Sequence, residues 1–353
     1  MTSRIGGMFC MERISKGSNT FLENKGDDVR FYMSGRCALY ACLCEIRTLD
    51  TKKIAYVPAY TCETVLASYE KAGYSLRFYD VDEYLLTPLF KDTDLQGVSV
   101  LGLSAYYGFS SYSRSILQKC RQMGITILQD ITHSPFSLDG YCPEADFYAG
   151  SIRKWMGIAC GGVAIKREGK FEIPIDPPDQ DHLKGRYEAM AFRAKALLTK
   201  DSCYDQKAYE VFWKTEMQLR QSFAKQGSDE RSAEILNHFN AEGLVAIRRR
   251  NYQTVLDTLK ESKQCRAVFP VLGENSCPSH FCFYSEDRER AQRQLEEMGI
   301  KSTVYWPLPP QLKNLEAFPH SLYIYDHIVS VQIDQRYGVT DMEYLGKSLS
   351  QLT

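Results

Sequence analysis

Short apolar runs alternate with helix-length amphipathic segments between residues 34 and 167 of this 353-residue chain. The runs are rich in β-branched and aromatic residues, as β-strands are, and two of the helical segments end just before a glycine. Such alternation is typical of an α/β fold, in which helices connect the strands of a mostly parallel sheet. Strands are predicted at residues 54–57, 76–81, 98–105, 125–129, 147–149 and 163–166, and helices between them at 37–48, 62–72 and 114–123.

The pattern changes twice after residue 167. Residues 168–182 contain three prolines and interrupt the alternation. Charged helical segments follow at 183–199, 206–224 and 231–260. Beyond about residue 265, strands are predicted at 267–272, 280–284, 302–305 and 328–333, with helices at 287–298 and 341–352. We therefore predict an N-terminal arm (1–33), a large α/β domain (34–245) and a small C-terminal α+β domain (246–353).

Composition and charge narrow the class of protein. With 44% hydrophobic and 25% charged residues, the chain can bury a sizeable core. A formal net charge of −1 provides no global field that would attract nucleic acid or an anionic membrane. The twelve cysteines are scattered without zinc-like spacing, so no metal site is expected. No run approaches the roughly 20 apolar residues of a membrane span, and no signal peptide is evident, so we expect a cytoplasmic protein.

A Ser-Gly turn precedes the first predicted helix. Ser34 and Gly35 stand directly before the apolar-periodic segment, so several backbone N–H groups and the positive end of the helix dipole would point at one spot. Such a spot binds phosphate. The alternative is that Ser34 is an ordinary capping serine, which is common at helix starts.

Asp130 follows a predicted buried strand, and His133 comes three residues later. Ligands bind at the carboxyl ends of strands in open α/β sheets. An aspartate there could pair with a protonated ring nitrogen, as a pyridine cofactor requires, and the histidine could bond to the phenolic oxygen of the ring. Alternatively, Asp130 caps the next turn and His133 is a structural histidine.

Lys154 lies between two strand-like segments, after Ser151 and before the Gly161-Gly162 pair. A lysine on a short loop held by a sheet can be partly buried. Burial lowers the pKa of the amine and frees the lone pair that a Schiff base needs. The alternative is a surface lysine, which most lysines are.

A phosphate-binding turn, an acid after a middle strand and a lysine after a later strand occur here in that order. In this respect the chain resembles fold-type-I pyridoxal-5'-phosphate (PLP) enzymes, most closely the DegT/DnrJ group of sugar aminotransferases. Residues 34–39 are similar to the family's Ser-Gly-Thr-x-Ala-Leu, and residues 57–61 to its Val-Pro-x-x-Thr. Segments 73–82, 106–108 and 299–307 resemble further family motifs. The resemblance covers most of the chain and implies a fold-type-I PLP transferase fold.

The resemblance also implies roles for single residues. Lys154 falls on the Schiff-base lysine, Asp130 on the aspartate that meets the ring nitrogen, and His133 on the residue that meets the ring oxygen. Tyr305 and Trp306 fall on the active-site strand that ends in proline, where substrate would bind. The alternative is that these two aromatic residues belong to the core.

Some positions depart from the family pattern. The family commonly has a serine five residues before the lysine, where this chain has Ala149. Ser151 matches the Ser-x-x-Lys of other fold-type-I aminotransferases, so it is predicted to bind the phosphate. Cys62 occupies the position of the aromatic residue that stacks on the ring, with Tyr60 as a candidate substitute. Arg36 replaces a threonine and could add charge near the phosphate.

The implied activity is transfer of an amine from an amino acid such as glutamate to a nucleotide-linked keto sugar, a step of polysaccharide biosynthesis. A homodimer with the active site at its interface is implied too, and residues 226–232 are candidates to cross over. A PLP lyase or amino-acid enzyme of the same fold stays an alternative, as does a PLP-binding regulatory protein without turnover. Deoxygenases of the family carry histidine at the lysine position, so Lys154 argues against that activity. Motifs for hydrolases, dinucleotides and P-loops are missing from the sequence.

Overall fold

Eight strands form one mixed sheet in this computed structural model, which describes residues 4–15, 20–110, 112 and 114–353. In chain order the strands are β1 (Asp28–Tyr32), β2 (Ile54–Pro58), β3 (Ser75–Val81), β4 (Pro88–Leu89), β5 (Val98–Ser104), β6 (Thr126–Asp130), β7 (Phe147–Ser151) and β8 (Gly162–Lys166). Across the sheet they are ordered β1-β8-β7-β6-β5-β2-β3-β4. The order differs from the chain order because helical connections lead the chain back across the sheet.

The middle of this sheet is parallel. β3, β2, β5, β6 and β7 run in the same direction, and β1, β4 and β8 pair antiparallel to their neighbours. Consecutive side chains on a strand point to opposite faces. Ile127 and Leu128, which are neighbours on β6, accordingly belong to two separate buried clusters. Both faces are therefore covered, which explains why the predicted strands are nearly continuous apolar runs.

The part of the chain that the structure describes contains ten helices. They are α1 (Gly35–Leu49), α2 (Glu63–Lys71), α3 (Arg114–Gln122), α4 (Gln180–Thr199), α5 (Ser202–Ser222), α6 (Glu230–His238), α7 (Ala241–Thr258), α8 (Arg288–Glu297), α9 (Pro319–His327) and α10 (Val339–Leu349). α1 packs on β7 and β8, and α4 and α5 pack against each other as a hairpin. Lys200 makes the turn of that hairpin in the left-handed conformation, with a φ of 56°.

A second, antiparallel sheet follows in the C-terminal part of the chain. Its strands are β9 (Arg266–Ala267), β10 (His280–Tyr284), β11 (Ser302–Thr303) and β12 (Ile328–Gln332). They are ordered β11-β12-β10-β9, and α7 and α10 pack together beside them. The predicted fold class, a mostly parallel α/β sheet followed by a smaller α+β part, is confirmed. The division of the chain at residues 33 and 245 stays a prediction.

Two local predictions were wrong, and one helix was not predicted. The helix predicted at 231–260 is two helices, α6 and α7, because Phe239 leaves the helical conformation and the Asn240 side chain caps the next helix by accepting from the Gly243 N–H at 2.8 Å. The strand predicted at 267–272 is only the two residues of β9. The helix α9, which starts at Pro319, was not predicted.

The predicted N-terminal arm is partly a strand. Residues 28–32 form β1, which pairs with β8 at the edge of the large sheet. Ile5 is buried and pairs with Ile300, so the described start of the chain contacts the C-terminal part. Residues 1–3 and 16–19 of the arm lie outside the described residues. Among the described residues, no helix is long and apolar enough to cross a membrane.

Candidate functional site

A cavity of about 210 Å³ lies at the carboxyl ends of the parallel strands β6 and β7. Most of the predicted site residues line it, although they come from five separate parts of the sequence. These residues are Ser34, Gly35, Arg36, Cys62, Asp130, Ser151, Lys154 and Trp306. A larger cavity of about 870 Å³, lined by Phe21, Phe136 and Phe239 among others, contains none of the predicted site residues. The chemistry of the lining, not the volume, identifies the first cavity as the candidate site.

The Ser-Gly turn contacts the end of β7. Ser34 is extended, with φ −151° and ψ 163°, and its Oγ accepts a hydrogen bond from the Cys37 N–H at 3.2 Å, so it does cap α1. A β-carbon at Gly35 would lie 2.8 Å from the β-carbon of Ser151. Glycine thus permits the turn to approach Ser151 closely, and the first turn of α1 faces the cavity with its positive dipole end.

Asp130 ends β6 with its carboxylate beside the cavity. Its Oδ1 accepts from the Thr132 N–H at 2.8 Å. Burial raises the pKa of Asp130, and the bonds from Thr132 and the charge of Lys154 partly oppose that rise. A cation placed beside this carboxylate would further favour its ionised form.

His133 lies behind the cavity and not on its lining. Its Nε2 is 3.2 Å from Lys154 Nζ, and its ring stacks on Trp306 with centroids 5.2 Å apart and planes inclined by 6°. Burial, together with the charge of Lys154, lowers the pKa of His133 well below its ordinary value, so the imidazole is neutral at pH 7. Its Nδ1 is buried without a hydrogen-bond partner among the described residues.

Lys154 ends the short 3₁₀ turn that follows β7, spanning Ile152–Lys154. Burial lowers the pKa of its amine, and the nearby Cys62 and Asp130 partly offset the effect. Its Nζ lies 4.4 Å from the ring centroid of Tyr305. A lowered pKa increases the neutral, nucleophilic fraction of the amine near pH 7, which is the condition that Schiff-base chemistry requires.

The aromatic residues of the site occupy different layers. Trp306 is the one aromatic residue among those described on the cavity lining. Tyr60, the candidate for ring stacking, is fully buried behind Trp306. The ring centroids of Tyr60 and Trp306 are 4.9 Å apart, and the Tyr60 hydroxyl lies 2.8 Å from that of Tyr107. Tyr305 also lies off the lining, and its hydroxyl is 2.8 Å from His280 Nε2. Cys62 faces the cavity, with its Sγ 3.1 Å from Thr64 Oγ1.

Two charged residues of the lining were not predicted from the sequence. Arg153 precedes Lys154, and Glu216 lies on α5, far away in sequence. Arg153 Nη2 is 3.1 Å from Glu216 Oε1, and Arg186 Nη1 on α4 is 3.1 Å from the same oxygen. The basic residue beside the lysine was visible in the sequence, but no local pattern points to a glutamate in the middle of a charged helix.

Comparison with known proteins shows the fold. No family model and no curated protein sequence matches the chain. A DegT DnrJ EryC1 StrS aminotransferase from Brucella abortus matches with a TM-score of 0.60 and 14% identity, over 96% of this chain and 91% of that one. DesV from S. venezuelae, solved in complex with a ketimine intermediate, matches with a TM-score of 0.66 and 14% identity, over 98% of this chain and 91% of that one. A Streptococcus pneumoniae structure assigned as a sugar aminotransferase, in its PLP form, matches with a TM-score of 0.64 and 14% identity, over 99% of this chain and 98% of that one. At such identities the likeness establishes the fold alone, and it confirms the predicted fold-type-I PLP transferase fold.

Glu216 should stabilise the cofactor-free protein. Burial raises its pKa, but Arg153, Arg186 and Arg36 outweigh burial and hold the pKa below its ordinary value. We expect Glu216→Gln to lower the free energy of unfolding at pH 7 by about 3 kcal/mol, because it leaves buried guanidinium groups without their acid. Because the folded pKa is depressed, this contribution is present above the ordinary pKa of 4.5 and is lost as the pH falls through the folded value.

Urea unfolding at several pH values measures this effect. Glu289→Gln is the matched control, since Glu289 is 83% exposed and its oxygen lies 3.9 Å from Arg293; it should change the free energy by less than about 0.5 kcal/mol. Equal effects of the two substitutions at pH 7 would contradict the role of Glu216.

Proposed function

We propose that this protein is a PLP-dependent aminotransferase that moves an amine from an amino acid, glutamate, to a nucleotide-linked keto sugar. The observation that carries the proposal is the convergence of Lys154, Asp130 and the Ser34-Gly35 turn on one cavity at the carboxyl ends of parallel strands. The aminotransferases that share the fold support it. The sugar and its nucleotide rest on the resemblance to sugar aminotransferases.

The residues of the cavity fit the chemical groups of PLP. The first turn of α1, with Ser34, Gly35 and Arg36, and the nearby Ser151 would hold the phosphate. Asp130 would accept from the ring nitrogen. Among polar atoms of the residues on the cavity lining, Nε of Arg36, Nη1 of Arg153 and Nε1 of Trp306 are buried without a hydrogen-bond partner in the described part of the chain. Unpartnered buried polar atoms of this kind are uncommon in folded proteins, and a bound ligand would satisfy them.

Lys154 has two tasks in this proposal. Its lowered pKa raises the neutral fraction of Nζ, which would hold the aldehyde carbon of the cofactor with loss of water. Once the substrate amine had displaced Nζ from that carbon, the freed Nζ would carry a proton between the substrate carbon and the cofactor carbon. The bound cofactor supplies an electron-withdrawing ring that takes up the negative charge developing at the substrate carbon. Asp130 sustains that capacity by keeping the ring nitrogen protonated.

The residues around Lys154 orient its amine and limit access of water. His133 is neutral and its Nε2 lies within 3.2 Å of Nζ, so it can share a proton with Lys154 or bond to the ring oxygen. Trp306, which is 7% exposed and stacks on His133, lies on the side from which the C-terminal part of the chain approaches the cavity. Tyr305 and Trp306 would contact the substrate from this side.

Covalent trapping tests the central assignment. Borohydride reduction of the PLP-loaded protein, followed by peptide mapping, should place the mass of the reduced cofactor on Lys154, because this buried amine lines the candidate site. Lys154→Ala should carry no such mass. Lys170, on a surface loop near the far end of β8, serves as a control, since Lys170→Ala should label normally. Cofactor mass on another lysine, or on none, would overturn the assignment.

A half-reaction separates the candidate activities. Glutamate added to the loaded protein should shift the absorbance from the PLP form to the pyridoxamine form, because Lys154 is placed to move the proton. Asp130→Asn should slow this shift by roughly 100-fold, since the ring nitrogen would no longer be held protonated. An unchanged spectrum with every amino acid tested would favour the regulatory protein. Products other than a transferred amine, in a panel of nucleotide keto sugars, would favour a lyase.

A homodimer is part of the proposal. α5 exposes Tyr209, Trp213 and Met217 at helical spacing, with 51%, 49% and 40% of their surfaces accessible, and an apolar stripe of this kind commonly marks an interface. Residues 226–232, the candidates to cross over, start beside the phosphate turn of their own chain, where the Gln226 carbonyl accepts from the Met33 N–H at 3.0 Å. Sedimentation should give about twice the monomer mass of 40.4 kDa. A monomer that still turned over would contradict this part of the proposal.

A further inference from the structure

Three arginines and one glutamate lie close together beside the cavity, and three of these four residues, Arg36, Arg153 and Glu216, line it. Arg36 is the second residue of α1, Arg153 precedes Lys154, Arg186 lies on α4 and Glu216 on α5. The carboxylate of Glu216 makes ion pairs of 3.1 Å with both Arg153 and Arg186. The charge of Arg36 also acts on Glu216. We call these four residues the arginine cluster.

The cluster carries more positive than negative charge. Its three guanidinium groups share one carboxylate, so two positive charges have no acidic partner within it. His182, whose charge also couples to Glu216, does not alter this balance, because burial first and the neighbouring arginines second lower its pKa to about 4. Such an excess beside a cavity attracts an anion of about two charges.

Arg153 is the member of the cluster best placed to meet such an anion. Its side chain is 13% exposed and lines the cavity, and Nη2 is the nitrogen that pairs with Glu216. Nη1 of the same guanidinium is buried without a hydrogen-bond partner among the described residues. A buried donor of a charged group is costly to leave unpaired, so it points to a ligand.

The backbone places Arg153 beside the phosphate turn. Ser151, two residues earlier, contacts Gly35, where a β-carbon would lie 2.8 Å from that of Ser151. A β-carbon at Gly161 would lie 2.8 Å from Cγ of Arg153, so this glycine leaves room for the stem of the arginine. Arg153 therefore follows by two residues the position at which the N-terminal turn of α1 contacts the end of β7.

We infer that Arg153 binds the phosphate group of the cofactor, with Arg36 and the first turn of α1 as its neighbours. This inference rests on the proposed function. A phosphate monoester carries nearly two negative charges at pH 7, which matches the excess of the cluster. Arginine offers phosphate two parallel donors, which lysine does not. An acidic group of the substrate could supply the same anion chemistry, and the experiment separates the two sources.

The test compares PLP with pyridoxal, which lacks the phosphate but keeps the aldehyde that Lys154 binds. The dissociation constants of both compounds are measured by absorbance titration of the cofactor-free protein. For Arg153→Gln we expect PLP affinity to fall by about 10- to 100-fold while pyridoxal affinity stays within about twofold. The ratio of the two constants isolates the phosphate, because the bond to Lys154 is common to both.

Two further variants keep the test decisive. Arg293→Gln, which changes a 65% exposed arginine on α8, is the control and should leave both affinities unchanged. Arg153→Lys keeps the charge and loses the planar fork, so PLP affinity relative to pyridoxal affinity should fall by a few-fold only. This variant replaces Arg153→Gln if circular dichroism shows that Arg153→Gln does not fold.

The possible results are distinct. The inference is overturned, and the proposed function left intact, if Arg153→Gln does not change the ratio of the PLP and pyridoxal dissociation constants. This holds whether both affinities stay the same or fall by the same factor. An unchanged ratio with a raised KM for an acidic substrate assigns the anion to the substrate and likewise overturns it. Failure of the wild-type protein to bind PLP at all would instead overturn the proposed function.

Discussion

The parallel register of β5, β6 and β7 is the constraint on which the candidate site depends. Ladder pairing puts Ser104 opposite Asp130, and Asp130 opposite Ala149, so three strands end at one edge of the sheet. Side chains alternate between faces, so a slip of one residue would carry Asp130 to the other side. Buried clusters on both faces oppose such a slip, since every apolar side chain of β6 would change its surroundings.

Charge is distributed unevenly along the cavity that this register creates. Asp130, beside which a cationic group would be stabilised, lines the same cavity as Arg36 and Arg153 of the arginine cluster, which would stabilise an anion. Lys154 lines the cavity too, with a pKa lowered by burial. A ligand that carries a protonated ring, a phosphate and an aldehyde complements this set of groups, which is the physical basis for proposing PLP.

Much of the fold could be predicted because its signals are local. β10 and the strands β2 to β8, apart from the short β4, follow from runs of β-branched and aromatic residues, with bounds within two residues of those observed. The errors had two causes, a tertiary contact in one case and a local side-chain cap in the other. Residues 28–32 become β1 because β8 offers an edge to pair with, and the long predicted helix is interrupted at Asn240 because a side-chain cap outweighs the continuing helical pattern.

The sequence by itself determined the order of the Ser34-Gly35 turn, Asp130 and Lys154, the α/β class, and the glycines that permit close approach. The tertiary structure alone decided which side chains share the cavity: Trp306 faces it while Tyr60 lies buried behind, and Glu216 reaches Arg153 from a helix 63 residues further along the chain. The physical reason is the distance along the chain over which the deciding interactions act. Strand and turn preferences depend on neighbouring residues, whereas burial, charge pairing and cavity lining depend on segments that meet only when the sheet and its helices pack.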